Sequence, residues 1–195
     1  MESTETKTRK WRESDGTEVI ETTTIRRIRT SSGKMSTVSS ANNASTVNYT
    51  SNQFEKDALN RHNYYRARHG VPNLELSNQL CQHAQEWANK LAESSSMKHR
   101  SENKYGENIF MKSGTNISIH GNDAVDAWYD EIHKFNFHSP SFQPGTGHFT
   151  QVVWRESKYL GIAYAKRGSS IFVVANYDPA GNYQGYFKEN VPRPK

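Results

Sequence analysis

With 195 residues the chain is long enough for one domain with its own core plus a tail, yet a hydrophobic fraction of 33% is too low for all of it to pack. A formal net charge of +5 suits anionic membranes or acidic partners and falls short of a nucleic-acid-binding chain, for which no motif is present. The single cysteine, Cys81, excludes an intramolecular disulfide and suits a reducing compartment; beside Leu80 on a helical pattern it reads as a small buried hydrophobe.

The opening MESTETKTRKWRESDG has no apolar segment of the kind a secretory signal needs, and no run approaches the ~20 apolar residues of a membrane span. Glu2 stands where N-myristoylation requires glycine, so that anchor is not expected. Residues 1–50 are rich in Ser, Thr, Asn and charge, and are expected to form a disordered low-complexity tail ahead of a folded domain at 51–195. One stretch interrupts the tail. EVIETTTIRRIRT (18–30) sets Val19, Ile20, Ile25 and Ile28 among Arg26, Arg27 and Arg29. It is either a solvated charged segment or a short basic element for contacting a membrane or partner. The sequons at Asn43, Asn48 and Asn116 bear only on a secreted protein.

From Phe54 the pattern turns helical. Phe54, Ala58, Leu59, His62 and Tyr65 share one helix face, stopped by Gly70 and Pro72. Ser77 can cap a second helix with an apolar stripe of Leu80, Ala84, Trp87, Ala88 and Leu91. A third is expected from about Asn122, its cap, to Phe135, burying Val125, Trp128, Ile132 and Phe135. After Trp154 the period becomes two. YLGIAYAK places Leu160, Ile162 and Tyr164 on one face and Gly161, Ala163 and Ala165 on the other, where small side chains admit a close helix. IFVVANY reads as a second strand and YQGYF, after the DPAGN turn, as a third. Helices followed by an antiparallel meander give an α+β fold.

Polar residues at apolar edges mark the candidate chemistry. Glu131 lies beside Trp128 and Phe135 on the helix surface, so it needs a partner or its pKa rises; a rim carboxylate reaching water is the alternative. In GTGHFTQVVW (145–154) a glycine-bracketed turn delivers His148 into an apolar run, as a cap, a core corner or part of a site. KHRSENKYGENIF carries His99 and Glu107 just ahead of Ile109 and Phe110. Two imidazoles and two carboxylates can bind a divalent ion such as zinc or do acid–base work, provided they meet.

Four stretches, RHNYYR (61–66), YGENI (105–109), GHFTQVVW (147–154) and VVANYDPAGN (173–182), are similar to the signature motifs of the CAP superfamily of cysteine-rich secretory, venom antigen 5 and plant pathogenesis-related 1 proteins. The resemblance spans residues 54–195. It is nearest to the Golgi-associated pathogenesis-related branch, because secreted members carry a cysteine before the Asn-Tyr where this chain has Ala175. It implies a three-layer α-β-α sandwich with a central antiparallel sheet. It also implies a cavity lined by His99, Glu107, Glu131 and His148 that holds a divalent metal, typically zinc. Membrane association and self-association, in the simplest case as a homodimer, are implied too, with an intracellular location that is cytoplasmic or peripheral on the Golgi membrane. No catalytic activity shared across the family is implied. FNFHSPSF (135–142) resembles an aromatic, caveolin-binding-like loop that contributes to sterol binding in some relatives. By helix spacing Phe135 belongs to the core, which leaves Phe137 and Phe142 as the lipid-facing candidates; otherwise all three fold inward.

Three functions follow. The first is a non-enzymatic module for anionic phospholipid or sterol, and for protein partners, with a metal-capable cavity. The second is a hydrolase in which His99 and Glu107 activate a serine such as Ser113, within the chain or across a dimer, although no Gly-x-Ser-x-Gly elbow is present. The third is an extracellular defence-type protein that leaves the cell without a signal peptide.

Overall fold

The computed structural model describes residues 52–101 and 103–195 with their side chains and, before them, the backbone of three strands. Two compact units divide the chain between Thr50 and Ser51. In the first, β1 (Glu2–Arg12), β2 (Glu18–Arg29) and β3 (Met35–Val38) pair antiparallel in that order. Where composition suggests an irregular tail, the backbone is extended and paired. The β-branched run Val19, Ile20, Thr22, Thr23, Thr24, Ile25 favours that state, and the register sets Arg9 opposite Glu21 and Arg12 opposite Glu18. Arg26, Arg27 and Arg29 fall on β2, but their side chains and the stretch 39–51 lie outside the described residues.

The second unit opens with α1 (Gln53–Arg68). Asn52 caps it by accepting from Glu55 N (3.0 Å), and the Glu55 carboxylate accepts from Asn52 N in return (3.1 Å). The helix ends where Gly70 takes a φ of +63°. The two-residue β4 (Glu75–Leu76) leads into α2 (Asn78–Ser94), whose first turn is capped by Ser77, as its sequence predicts. Next come β5 (Gly106–Ser113) and α3 (Gly121–Asp130). The third helix starts and stops earlier than its pattern suggests. His120 is its cap, with His120 N donating to Asp123 (3.3 Å), and after Asp130 the chain tightens into a 3₁₀ turn at Glu131–Lys134. α4 (Gly147–Val152), β6 (Tyr159–Arg167), β7 (Ser170–Asp178) and α5 (Phe187–Asn190) complete the unit.

The sheet runs β4-β6-β7-β5. β5, β6 and β7 are antiparallel, while β4 adds to β6 in parallel. The strand expected at YQGYF does not form. Gly185 adopts a φ of +85°, and the chain turns there into α5, which buries Phe187 edge-on against Trp154 (5.2 Å between centroids). Its place beside β7 is taken by β5.

β7 shows how the layers divide. Ile171, Val173, Ala175 and Tyr177 join the larger core with residues of α1, α3 and α4, whereas Phe172 and Val174 join the α2 side chains Ala84, Trp87, Ala88 and Leu91. Period-two alternation in a strand buried on both faces thus produces helix–sheet–helix layering. Arg66 of α1 has a fully buried side chain that ties α1 to the segment after α4. Nε donates to Pro72 O (2.7 Å), Nη1 to Val152 O (3.0 Å) and Trp154 O (2.8 Å), and Nη2 to Ser157 O (3.0 Å) and Arg155 O (3.5 Å). Cys81 is buried within α2, as expected.

The small face of β6 does admit a close helix. A Cβ on Gly161 would lie 2.0 Å from Leu80 C and 2.3 Å from Cys81 N, both backbone atoms of α2 that cannot rotate away. Gly161→Ala is therefore expected to destabilise the domain by about 1–3 kcal/mol through overpacking, read as a lower urea midpoint with an unchanged slope. An unaltered midpoint would mean that α2 is free to shift.

Candidate metal-binding site

The 3₁₀ turn after α3 brings the Glu131 carboxylate to the start of α4. Oε1 accepts from His148 Nδ1 (2.8 Å), and Oε2 accepts the backbone N–H groups of His148 (3.0 Å) and Phe149 (3.2 Å). Trp128 stacks on the His148 ring at 6.3 Å and 22°. The partner that Glu131 requires is thus His148; His133, a neighbour in sequence, faces Asp130 instead (3.5 Å). Burial pushes the Glu131 carboxyl up, but the hydrogen bonds and charge supplied by His148, with the Phe149 and His148 amides, outweigh it, and its pKa lies below the ordinary value.

The second pair forms at the start of β5. Glu107, with only 5% of its side chain exposed, accepts on Oε1 from His99 Nδ1 (2.8 Å) and Arg100 N (2.9 Å), and on Oε2 from Asn103 Nδ2 (3.1 Å). The His99 ring is 61% exposed, and its hydrogen bond to Glu107 raises its pKa. In both pairs the carboxylate occupies Nδ1. A neutral ring then carries its hydrogen there and leaves a lone pair on Nε2.

Asn108 ties the pairs together. Its Nδ2 donates to His148 O (3.1 Å) and to the Tyr177 hydroxyl (3.2 Å). Tyr177 in turn meets His62 Nε2 (2.8 Å), and His62 Nδ1 donates to Ala58 O (2.8 Å). Burial pushes His62 down to about 4, so this interior chain is neutral. Sequence reasoning assigned Asn108, His62 and Tyr177 no role. The available signal was their position inside RHNYYR, YGENI and VVANYDPAGN.

The tetrad is therefore two carboxylate-backed imidazoles. Among the described residues no three His, Cys, Asp or Glu side chains gather as a metal-holding cluster. The donor chemistry fits zinc in part. Metal-binding histidines usually donate their far ring nitrogen to a carboxylate, which is the arrangement of His99 with Glu107 and of His148 with Glu131. For a metal to be held here, the carboxylates would orient the rings and the two Nε2 atoms would be the donors.

Other candidates lie elsewhere. Ser113 sits at the far end of β5, about 20 Å along the strand from Glu107, and its Oγ faces Ser170 Oγ (2.9 Å). The chain does not bring it to His99. Phe135 is core, and Phe137 packs on Phe135 (4.9 Å) and Phe149 (6.1 Å), so of the aromatic loop only Phe142 stands out, at 49% exposure. A groove of about 360 Å³ between α1 and α3 is lined by Tyr65, Arg68, Asp126, Tyr129, Asp130, Ile132 and His133, and by none of the tetrad.

Residues 59–177, carrying both pairs and the Asn108 link, match the Cysteine-rich secretory protein family, CAP. The chain belongs to the CAP family. Among CAP proteins it is 43% identical over 149 residues to the human Golgi-associated plant pathogenesis-related protein 1, covering 74% of this chain and 96% of that one. It is 37% identical over 158 residues to the Secreted protein RBT4 of Candida albicans, covering 73% of this chain but only 42% of that longer protein. Its fold matches that of NaASP2, solved with Zn²⁺, with a TM-score of 0.60 at 22% identity, over 76% of this chain and 90% of that one. The three-layer α+β architecture is that of the CAP fold.

Because the Glu131 pKa is lowered by folding, its contribution to stability is complete above the ordinary carboxyl value of 4.5 and is lost as pH falls through the folded value. Glu131→Gln keeps the shape and removes the charge, and is expected to cost about 1.5–3 kcal/mol at neutral pH. Urea unfolding of both proteins at neutral and acid pH checks this. The gap should narrow in acid; a gap independent of pH would show that the charge of Glu131 is not what holds α4.

Proposed function

We propose that this CAP protein is a binding module whose two carboxylate-backed imidazoles take up a divalent cation, zinc foremost, through Nε2 of His99 and His148. The reading is carried by one observation, the engagement of both Nδ1 atoms by carboxylates. Bound zinc would supply a Lewis-acidic, positively charged centre. Glu107 and Glu131 would hold the rings, and positions not filled by protein would take water or a donor from a ligand or a second subunit. Calorimetric titration with Zn²⁺ should show binding that is lost in His148→Ala and weakens as pH falls. Protons should begin to compete at a higher pH for His99 than for an ordinary histidine, since Glu107 raises its pKa. Equal affinity in wild type and His148→Ala would remove the cation site.

The same reading makes the protein a peripheral membrane module of the Golgi or cytoplasm that binds anionic phospholipid or sterol, with protein partners or a homodimer as further contacts. The name of the human relative supports the location, and the exposed Phe142 supports a lipid contact. Among the described residues no helix is long and apolar enough to cross a membrane, so attachment would be at the surface. Arg26, Arg27 and Arg29 would add about 1 kcal/mol each near an anionic bilayer, screened by salt. Full-length protein should co-sediment with phosphatidylserine vesicles and release as salt rises. Replacing the three arginines with glutamine should remove the salt-sensitive part and Phe142→Ser the salt-resistant part. Binding unchanged by either substitution would assign the membrane contact to neither. The separation of Ser113 from His99 speaks against the hydrolase. The extracellular alternative draws its support from the secreted relative.

A further inference from the structure

The loop from α2 to β5 is strapped to the outer layer. Trp87 Nε1 donates to Lys98 O (3.1 Å), and the Arg100 guanidinium lies over the Trp87 ring at 5.9 Å. Arg100 Nη2 donates to Glu86 Oε2 (3.2 Å), and Nη1 donates to His83 O (3.2 Å) and His83 Nδ1 (3.1 Å). A guanidinium has only donors, so His83 Nδ1 must present its lone pair and Nε2 must carry the hydrogen. That hydrogen faces Asn103 Oδ1 at 3.3 Å, which also accepts from Tyr105 N (3.2 Å). With Oδ1 so occupied, the Asn103 amide has one orientation, and its NH₂ points at Glu107 Oε2 (3.1 Å). The Tyr105 ring closes edge-on over His83 at 5.0 Å. Burial and then the Arg100 charge lower the His83 pKa, against the bond to Asn103 and the charges of Glu86 and Glu107, so the ring stays in the neutral form the chain requires.

We propose that His83 and Asn103 are positioning residues for the His99–Glu107 pair, passing a directed run of hydrogen bonds from Arg100 in the loop through His83 on α2 and then Asn103 to Glu107. The run leaves Oε1 of Glu107 for Arg100 N and His99 Nδ1. His99 is largely exposed and has no other hydrogen bond among the described residues, so its ring keeps one tautomer only as long as Glu107 keeps one orientation. Without Asn103 the carboxylate loses the bond that fixes Oε2, and without His83 the amide loses a donor that fixes Asn103. The outer helix thereby sets the lone pair that His99 offers on its other nitrogen. The consequence for cation binding rests on the proposed function; the positioning itself does not.

The experiment uses the full chain, first metal-free and then with Zn²⁺ alone. Nitrogen-15 NMR above the histidine titration range reads the tautomers of His99 and His148, and calorimetry reads Zn²⁺ affinity. Wild type should show the Nδ1–H form at both histidines. His83→Leu and Asn103→Ala should move His99 toward Nε2–H and weaken Zn²⁺ by about 10-fold or more. His83→Gln, which restores an N–H near the place of Nε2–H, should recover both. His148, held by Glu131 in the other layer, should be unaffected, which separates positioning from unfolding. Wild-type tautomer and affinity in both His83→Leu and Asn103→Ala would overturn the inference, as would His148 changing in step with His99. If wild type binds no Zn²⁺ while the His99 tautomer still responds, the positioning stands and the cation site falls.

Discussion

A guanidinium sealed from water must fill all five of its N–H groups from its surroundings, and Arg66 does so with five backbone carbonyls. One of them, Val152 O, belongs to the last residue of α4, where a helix leaves its carbonyls without partners within the helix. Burial brings the Arg66 pKa down to about 10, still high enough to keep the charge at neutral pH. At the other end of α4, Glu131 accepts the first amides. A six-residue helix is too short to stand alone in water. This one has an anion at its N-terminus and a cation at its C-terminus, the sense that the helix dipole favours. The placement of His148 depends on that clamp.

The two imidazoles are built by different layers. His148 is set by α3 and α4 on one side of the sheet, and His99 by a loop fastened to α2 on the other. They are linked at the end of β5, where Glu107 takes His99 and the next residue, Asn108, takes the carbonyl of His148. Strand alternation makes this link. Consecutive residues point to opposite faces, so two neighbours on β5 can serve two layers. The site is a property of the sheet as much as of any motif.

Much of this was legible in the sequence. The Ser77 cap, the α2 stripe, the small face of β6 and the two-faced β7 all follow from local periods. The misreadings share a cause. YQGYF has strand-like aromatics, but Gly185 and the pull of Phe187 into the core decide its path. Asn122 looks like a cap, yet His120 is placed there because Gly121 lets α1 approach: a Cβ at Gly121 would lie 2.2 Å from Phe54 O. The pairing of Glu131 with His148 spans 17 residues and that of Arg66 with Ser157 spans 91. No local period encodes such contacts. For the tetrad the pattern supplied the residue types and the family resemblance supplied the grouping, which the structure resolves into two pairs.

The order of strands has a consequence for a chain made from its N-terminus. Among the described residues β4 and β5 find their strand partners in β6 and β7, which begin at Tyr159 and Ser170. While the ribosome is still adding residues, α1, α2 and α3 exist with no sheet to cover their apolar faces. Val191, which follows β7, is itself part of the core. Burial is thus deferred until β6 and β7 have been made, and until then the nascent domain consists of sticky amphipathic helices in need of a chaperone's shelter. A stop codon ahead of Tyr159 would leave not a shortened domain but none.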